Sequence, residues 1–286
     1  MSSNLNNYFM KPTYLKDVPI YPIKLMEYEE FSLLASQYIL LDIPQLNNKL
    51  KQDGKEKLPF ETLFEYLVGV IEDEYKLLKQ IKEEFNKNSN KNIPNKELEV
   101  MIREKYKLNS EVNLCRLLNM TLHKDISFNK IMRCFAIADK GKIIGVINDV
   151  NFYEYRKIVM EQNLLFTPRI APNKKSQEII DKEIKKLFGD EEFSLETMIG
   201  VVAMEYAGKD ISDFTYYRVK ADYKIALLKL GYISSIIYRA NGCKGKGDSE
   251  IPVPSLSEDL KMMENPYSSV LKKAKTTELD KQLMNR

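Results

Sequence analysis

Apolar side chains fall at three- and four-residue steps along most of this chain, the period of a helix with one buried face. From Glu27 onward, Phe31, Leu34 and Tyr38 share such a face, and Asp42-Ile43-Pro44 is expected to stop that helix. A second helix is expected from Pro59, since proline suits a first turn, where its missing donor costs nothing. Leu63, Leu67, Val70, Tyr75, Leu78, Ile81 and Phe85 keep the spacing behind it. Shorter helices are predicted over residues 96–106 and 113–122, over 152–163 behind an Asn151 cap, and over 177–188 ended by Gly189. Ser194 caps a helix over 195–206, stopped by Gly208. Ser212 or Asp213 opens the longest helix, in which Phe214, Tyr217, Ala221, Ile225, Leu228, Tyr232 and Ile236 recur. Gly231 lies inside it and allows a bend or a close contact.

The helical period fails in four places. Residues 1–26 carry Pro12, Pro19 and Pro22, and the prolines bias Val18 and Tyr21 before them to extended geometry, so "DVPIYPIKL" reads as a strand or an arm. "NKNSNKNIPN" (86–95) is a polar surface linker. Two β-rich runs, 131–138 and 143–148, flank Asp139-Lys140-Gly141-Lys142, a hairpin signal. After residue 240 come "NGCKGKGDSE", a short helix between proline breaks in "IPVPSLSEDLKMMENPYSSV", and a polar tail. The expected fold is mainly α: an extended arm (1–26), a helical body (27–240) with a hairpin near 131–148, and a flexible loop, short helix and tail (241–286). No solenoid repeat appears.

Composition narrows the function classes. A chain of 286 residues with 44% apolar content buries a sizeable core. Its net charge of +3 makes no strong field for nucleic acid or anionic lipid, so neither is an expected partner. Cys115, Cys134 and Cys243 form no CxxC and no disulfide framework, which fits a reducing compartment. No stretch approaches 18 apolar residues and no signal-peptide run appears, so a cytoplasmic location is expected. A single histidine, His123, restricts triad and zinc chemistry.

The glycine-rich "NGCKGKGDSE" is the stretch most like chemistry. Gly242 and Gly247 have the glycine spacing of a P-loop, but Asp248 stands where that motif has lysine and would repel phosphate. The dinucleotide pattern fails at Glu250, the third glycine's place after Gly245 and Gly247. A helix precedes the loop, so no helix N-terminus is aimed at an anion. Asn241 and Gly242 read as a helix stop, with the loop as a hinge. His123 has no nucleophile placed beside it. Cys115 and Cys134 read as small core residues. Cys243 is expected to be exposed, with Lys244 able to lower its pKa. The acidic runs 27–30, 72–74 and 189–192 lack cage spacing for a cation and read as helix faces or first-turn acids. In "FTYYRVKADYK", Phe214, Tyr217 and Ala221 share a core face while Arg218, Lys220 and Lys224 are expected to face out. No catalytic residue, metal site or cofactor is expected.

The order of "DVPIYPIKLMEYEEF", "NFYEYRKIVMEQNLL" and "FSLETMIGVVAMEYAGKDISDFTYYRVKADYKIA" resembles the tail assembly chaperones of long-tailed bacteriophages, over roughly residues 14–40 and 150–240. Residues 86–149 and the glycine loop with its proline-rich sequel have no counterpart in that resemblance. It implies a non-enzymatic protein of the host cytoplasm. Members of that family coat the helical tape measure protein, encoded just downstream, and leave as the tail tube polymerises; a longer frameshifted form often accompanies them. The implied partners are the tape measure protein, with self-association or the tail tube protein as further contacts. Ile251, Val253, Leu256 and Leu260, apolar residues beyond the last strong helix, are the candidate partner-binding residues. The alternative is a virion structural component such as a baseplate or connector protein, and a third reading is a nucleotide- or nucleic-acid-binding enzyme.

Overall fold

The computed structural model describes residues 3–88, 94–188, 194–246 and 249–255. In chain order the elements are α1 (Ser3–Tyr8), β1 (Thr13–Leu15), β2 (Val18–Ile20), a 3-10 turn (Leu25–Glu27), α2 (Tyr28–Tyr38), α3 (Ile43–Gln52), α4 (Leu63–Asn88) and α5 (Asn95–Tyr106). There follow α6 (Ser110–Leu122), β3 (Asp125–Asn129), β4 (Cys134–Asp139), β5 (Lys142–Ile147), α7 (Asp149–Gln162), α8 (Lys174–Phe188), α9 (Leu195–Glu205) and α10 (Tyr216–Ala240). The fold is mainly α, as the apolar periodicity predicts.

Several boundaries differ from the sequence reading for identifiable reasons. α2 already ends at Tyr38, and Asp42-Ile43-Pro44, expected as its stop, instead starts α3, with the proline in the first helical turn, where it is best tolerated. The helix after Pro59 begins only at Leu63. Asn151 is not the cap of α7. Asn148 is the cap, accepting from the Val150 amide at 3.1 Å, and Asn151 Oδ1 accepts the Asn148 amide at 2.9 Å in return. Thr215, not Ser212 or Asp213, caps α10, accepting from the Arg218 amide at 3.0 Å. The asparagine-rich linker falls partly, and the short helix and tail after Ser255 wholly, outside the described residues.

The expected hairpin is a three-stranded antiparallel sheet of order β3-β4-β5. Lys140 and Gly141 turn β4 into β5 with φ of 49° and 78°, as the Lys-Gly pair predicts. β3 was not anticipated. It pairs Ile126 with Ile137 and Phe128 with Phe135. The run expected to begin at Ile131 enters the sheet only at Cys134, and Ile131 and Met132 lie exposed in the turn.

The described part of the expected arm, residues 3–26, holds a short helix and a strand pair. β1 and β2 pair as a hairpin whose Leu15, Val18 and Ile20 are buried in the main core. Buried side chains of α7 and the residue after it fix the backbone that follows. Gln162 Nε2 donates to the Ile20 carbonyl at 2.8 Å, and Asn163 Oδ1 accepts the Ile23 amide at 3.0 Å. The second bond satisfies a main-chain amide that lies beyond the strand pair.

The main core joins this hairpin to α2, α4, α6, the sheet and α7 around Phe31, Phe64, Leu117, Phe135 and Tyr155. Each such side chain contributes about 1.5–3 kcal/mol on burial. A second core, of Met198, Val202, Ile211, Val219 and Tyr223, joins α9 to α10. A third, of Leu78, Leu98, Ile102 and Leu108, docks α5 on the far half of α4.

Above that third core Glu99 pairs with Lys82 at 2.6 Å and with Arg103 at 3.1 Å. The hydrogen bond from Lys82, helped by Arg103, holds the Glu99 carboxyl below its ordinary pKa. A folded-state pKa that is lowered gives stability present above the unfolded value and lost as pH falls through the folded one. We therefore expect urea stability to decline below about pH 4 and Glu99→Gln to remove that part of the decline. With the Glu99 side chain 36% exposed the effect is no more than about 1 kcal/mol.

Candidate functional site

The last two helices carry the surface most suited to a function. Thr215 starts α10 and also ties it to the chain's beginning, its hydroxyl donating to the Asn7 carbonyl at 3.2 Å. Two turns further on, buried Asp222 accepts hydrogen bonds from Tyr8 at 2.8 Å and Tyr206 at 2.9 Å. Burial first, and then the Asp222 charge, push the Tyr8 pKa well above its ordinary value, so this phenol stays a neutral donor. Arg218 does not face out as expected. Its guanidinium carbon lies 3.5 Å from the centroid of the Phe214 ring, and the group donates to the Tyr206 hydroxyl at 3.2 Å. This knot fixes the first half of α10 against α1 and α9.

The two halves of α10 differ. In the first, one face packs against α9 through Val219 and Tyr223, and a second packs Tyr217 and Ala221 against Leu164. The sequence reading found only the second face. Its continuation weakens along the helix: Ile225, Leu228 and Tyr232 are half-buried and Ile236 is exposed. The face toward α9 runs Val219, Tyr223, Ala226, Leu230, Ile233, Ile237, in steps of four, three, four, three and four. Val219, Tyr223 and Ala226 are buried, whereas Leu230, Ile233 and Ile237 are 58%, 53% and 52% exposed. Leu227 and Tyr238 are exposed beside them. Next to Leu227 opens a groove of about 470 Å³, lined by Tyr28, Leu195, Met198, Tyr216 and Tyr223, with Lys220 and Lys224 along it. Tyr28 and Tyr216 stack there with ring centroids 4.3 Å apart.

The glycine loop ends α10 as a helix stop. Gly242 has φ of 73°, and the amides of Gly242 and Cys243 bond the carbonyls of Arg239 and Tyr238, both at 2.9 Å. The chain then doubles back. Arg239 pairs with Glu250 at 2.7 Å and donates to the Ile251 carbonyl at 2.6 Å, and Pro254 lies beside Gly231. Of the predicted partner-binding residues, Ile251 and Val253 are half-buried on this returning segment, while Leu256 and Leu260 lie outside the described residues. Asp248 lies outside them too. The residues that sequence reasoning missed are Leu230, Ile233 and Ile237. Their signal was the three-four step itself, visible only once Val219 and Tyr223 were known to be covered.

The other candidates resolve simply. His123 caps α6 in a left-handed conformation and stacks on Tyr21 at 4.5 Å. Cys134 is buried and Cys243 exposed, and burial pushes the Cys115 thiol up to about 11. Among the described residues no group of three or more histidine, cysteine, aspartate or glutamate side chains is placed to hold a metal ion. No described helix is long and apolar enough to cross a membrane. Met132 and Val150 line a smaller hollow of about 250 Å³ at the end of the sheet, mixed with Glu65, Arg133 and Asp149. No protein-family model matches this chain, and no curated protein or solved structure is significantly similar to it.

Proposed function

We propose that this chain is a non-enzymatic tail assembly chaperone of a long-tailed bacteriophage, acting in the host cytoplasm on the helical tape measure protein before the tail tube forms. One observation carries the reading: a rigidly anchored helix, α10, leaves the second half of a continuous apolar face exposed at Leu230, Ile233 and Ile237. Exposed apolar faces of this kind mark contact with another chain, and helical spacing suits a helical client. The order of segments that resembles the phage chaperones includes α9 and the first part of α10, so the anchor of this face lies within the resemblance.

Co-expression with the protein encoded by the downstream tape measure gene tests the proposal. The expected result is co-purification of the two and absence of this chain from purified virions by mass spectrometry. Stoichiometric presence in mature particles would instead establish the baseplate or connector reading.

A further inference from the structure

We infer that residues 256–264 of this same chain, which lie outside the described residues, seat as a short helix in the groove between α9 and α10. The chain before them already heads there. After the glycine loop it runs back along α10. The Ile251 carbonyl accepts from Arg239, and the Pro254 ring lies 3.6 Å from the place a Cβ would take on Gly231. At about 100° per residue, Gly231, Leu227, Lys224 and Lys220 fall along one line of α10. The last three line the groove. The returning chain therefore points down this line and enters the groove at its Leu227 end. The distance fits as well. From the level of Gly231 to that of Lys220 the helix rises about 16 Å, and nine helical residues running antiparallel to it span about 14 Å.

The segment has the chemistry the groove asks for. Ser255-Leu256-Ser257-Glu258 has the capping-box pattern, so a helix is expected to start at Leu256, directly behind Pro254. Leu256, Leu260 and Met263 then share one face, with Asp259 and Glu264 at its two edges. The groove offers the apolar walls of Tyr28, Met198 and Leu227, with Lys224 and Lys220 one turn apart, and no described acid lines it. Continuing the path set by Pro254 and Gly231 brings Asp259 near the level of Lys224, and Glu264 near that of Lys220. Tethering selects this occupant over a second copy or a separate helix of equal chemistry, because a short linker holds the segment at an effective concentration of about millimolar. Leu256 and Leu260 thereby serve their own chain rather than a partner. The seat lies about a third of a turn around α10 from Leu230, Ile233 and Ile237, so it leaves that face open and does not depend on any client.

The test is the alkylation rate of an introduced cysteine in the full chain, with exposed Cys243 changed to serine. Leu227→Cys is compared with Ile237→Cys, which stands on the other face of α10. Iodoacetamide is expected to react at least about tenfold slower at position 227. Leu256→Asp with Leu260→Asp, which changes only the segment, is expected to remove that protection. Lys220→Glu with Lys224→Glu should remove it too, and adding Asp259→Lys with Glu264→Lys should restore it. Circular dichroism of each variant checks that the helical fold is kept, and Lys224→Cys gives the same readout if Leu227→Cys is not folded. Equal rates at 227 and 237 overturn the proposal. So does protection that fades on dilution, which assigns the groove to a second copy. Protection that survives Leu256→Asp with Leu260→Asp but is lost in Phe193→Asp assigns the groove to residues 189–193 and overturns it as well.

Discussion

Phe135→Ala is expected to lower folding stability by about 3–5 kcal/mol, read as a fall in the urea midpoint. Phe135 sits on the central strand of the three-stranded sheet and is fully buried. Its ring meets Phe128 at 5.0 Å and Phe64 of α4 at 6.1 Å edge-on. Phe64 in turn meets Phe152 of α7 at 5.4 Å. The sheet is too small to be stable without helical cover, and Phe135 is where that cover is attached. Truncation leaves a cavity that the paired strands on either side resist closing. Phe135→Leu, which keeps most of the volume, is expected to lose less than half as much, and equal losses for the two variants would show that the ring contacts, not the filled volume, carry the effect.

Arg156→Met is expected to cost about 3 kcal/mol, through unmet acceptors rather than lost volume. Arg156 is 9% exposed, and its guanidinium donates to the Ile39 carbonyl at 2.5 Å, the Leu41 carbonyl at 2.7 Å and Thr167 Oγ1 at 2.8 Å. One side chain of α7 thereby serves the carbonyls left over as α2 gives way to α3, and binds the strand of chain after α7 as well. Burial lowers its pKa, with the charge of Asp42 opposing that shift. Methionine matches the stem and removes every donor. Arg156→Lys keeps the charge but cannot reach three acceptors with a fixed fork, so its stability should fall between the two in the same urea titration. A methionine variant as stable as the parent would mean that water replaces the guanidinium.

Much of this architecture was legible in the sequence because local rules decided it. Ser194 capping α9 and the Lys140-Gly141 turn are matters of a few residues. The misses arose where distant parts decide. β3 alternates Ile126 and Phe128 with polar neighbours, yet five residues directly after a helix signal little until β4 is there to pair with them. Asp42-Ile43-Pro44 reads as a stop but is a start, because a proline in a first helical turn and one just past a helix look alike in sequence. Arg218 looks like a surface cation in sequence because the rings around it come from residues 8, 206 and 214. Along α10 apolar residues occur on several faces, and only the placement of α9 decides which is core and which stays open.

The exposed half of the α10 face is short. From Leu230 to Ile237 it rises about 11 Å at 1.5 Å per residue, which covers two turns of a partner helix and far less area than a lasting complex buries. One copy would therefore hold a helix only briefly. A long helix presenting the same steps repeatedly would seat many copies side by side, each exchanging fast while the array as a whole stays occupied, and displacement could proceed from one end, copy by copy, without any single costly release.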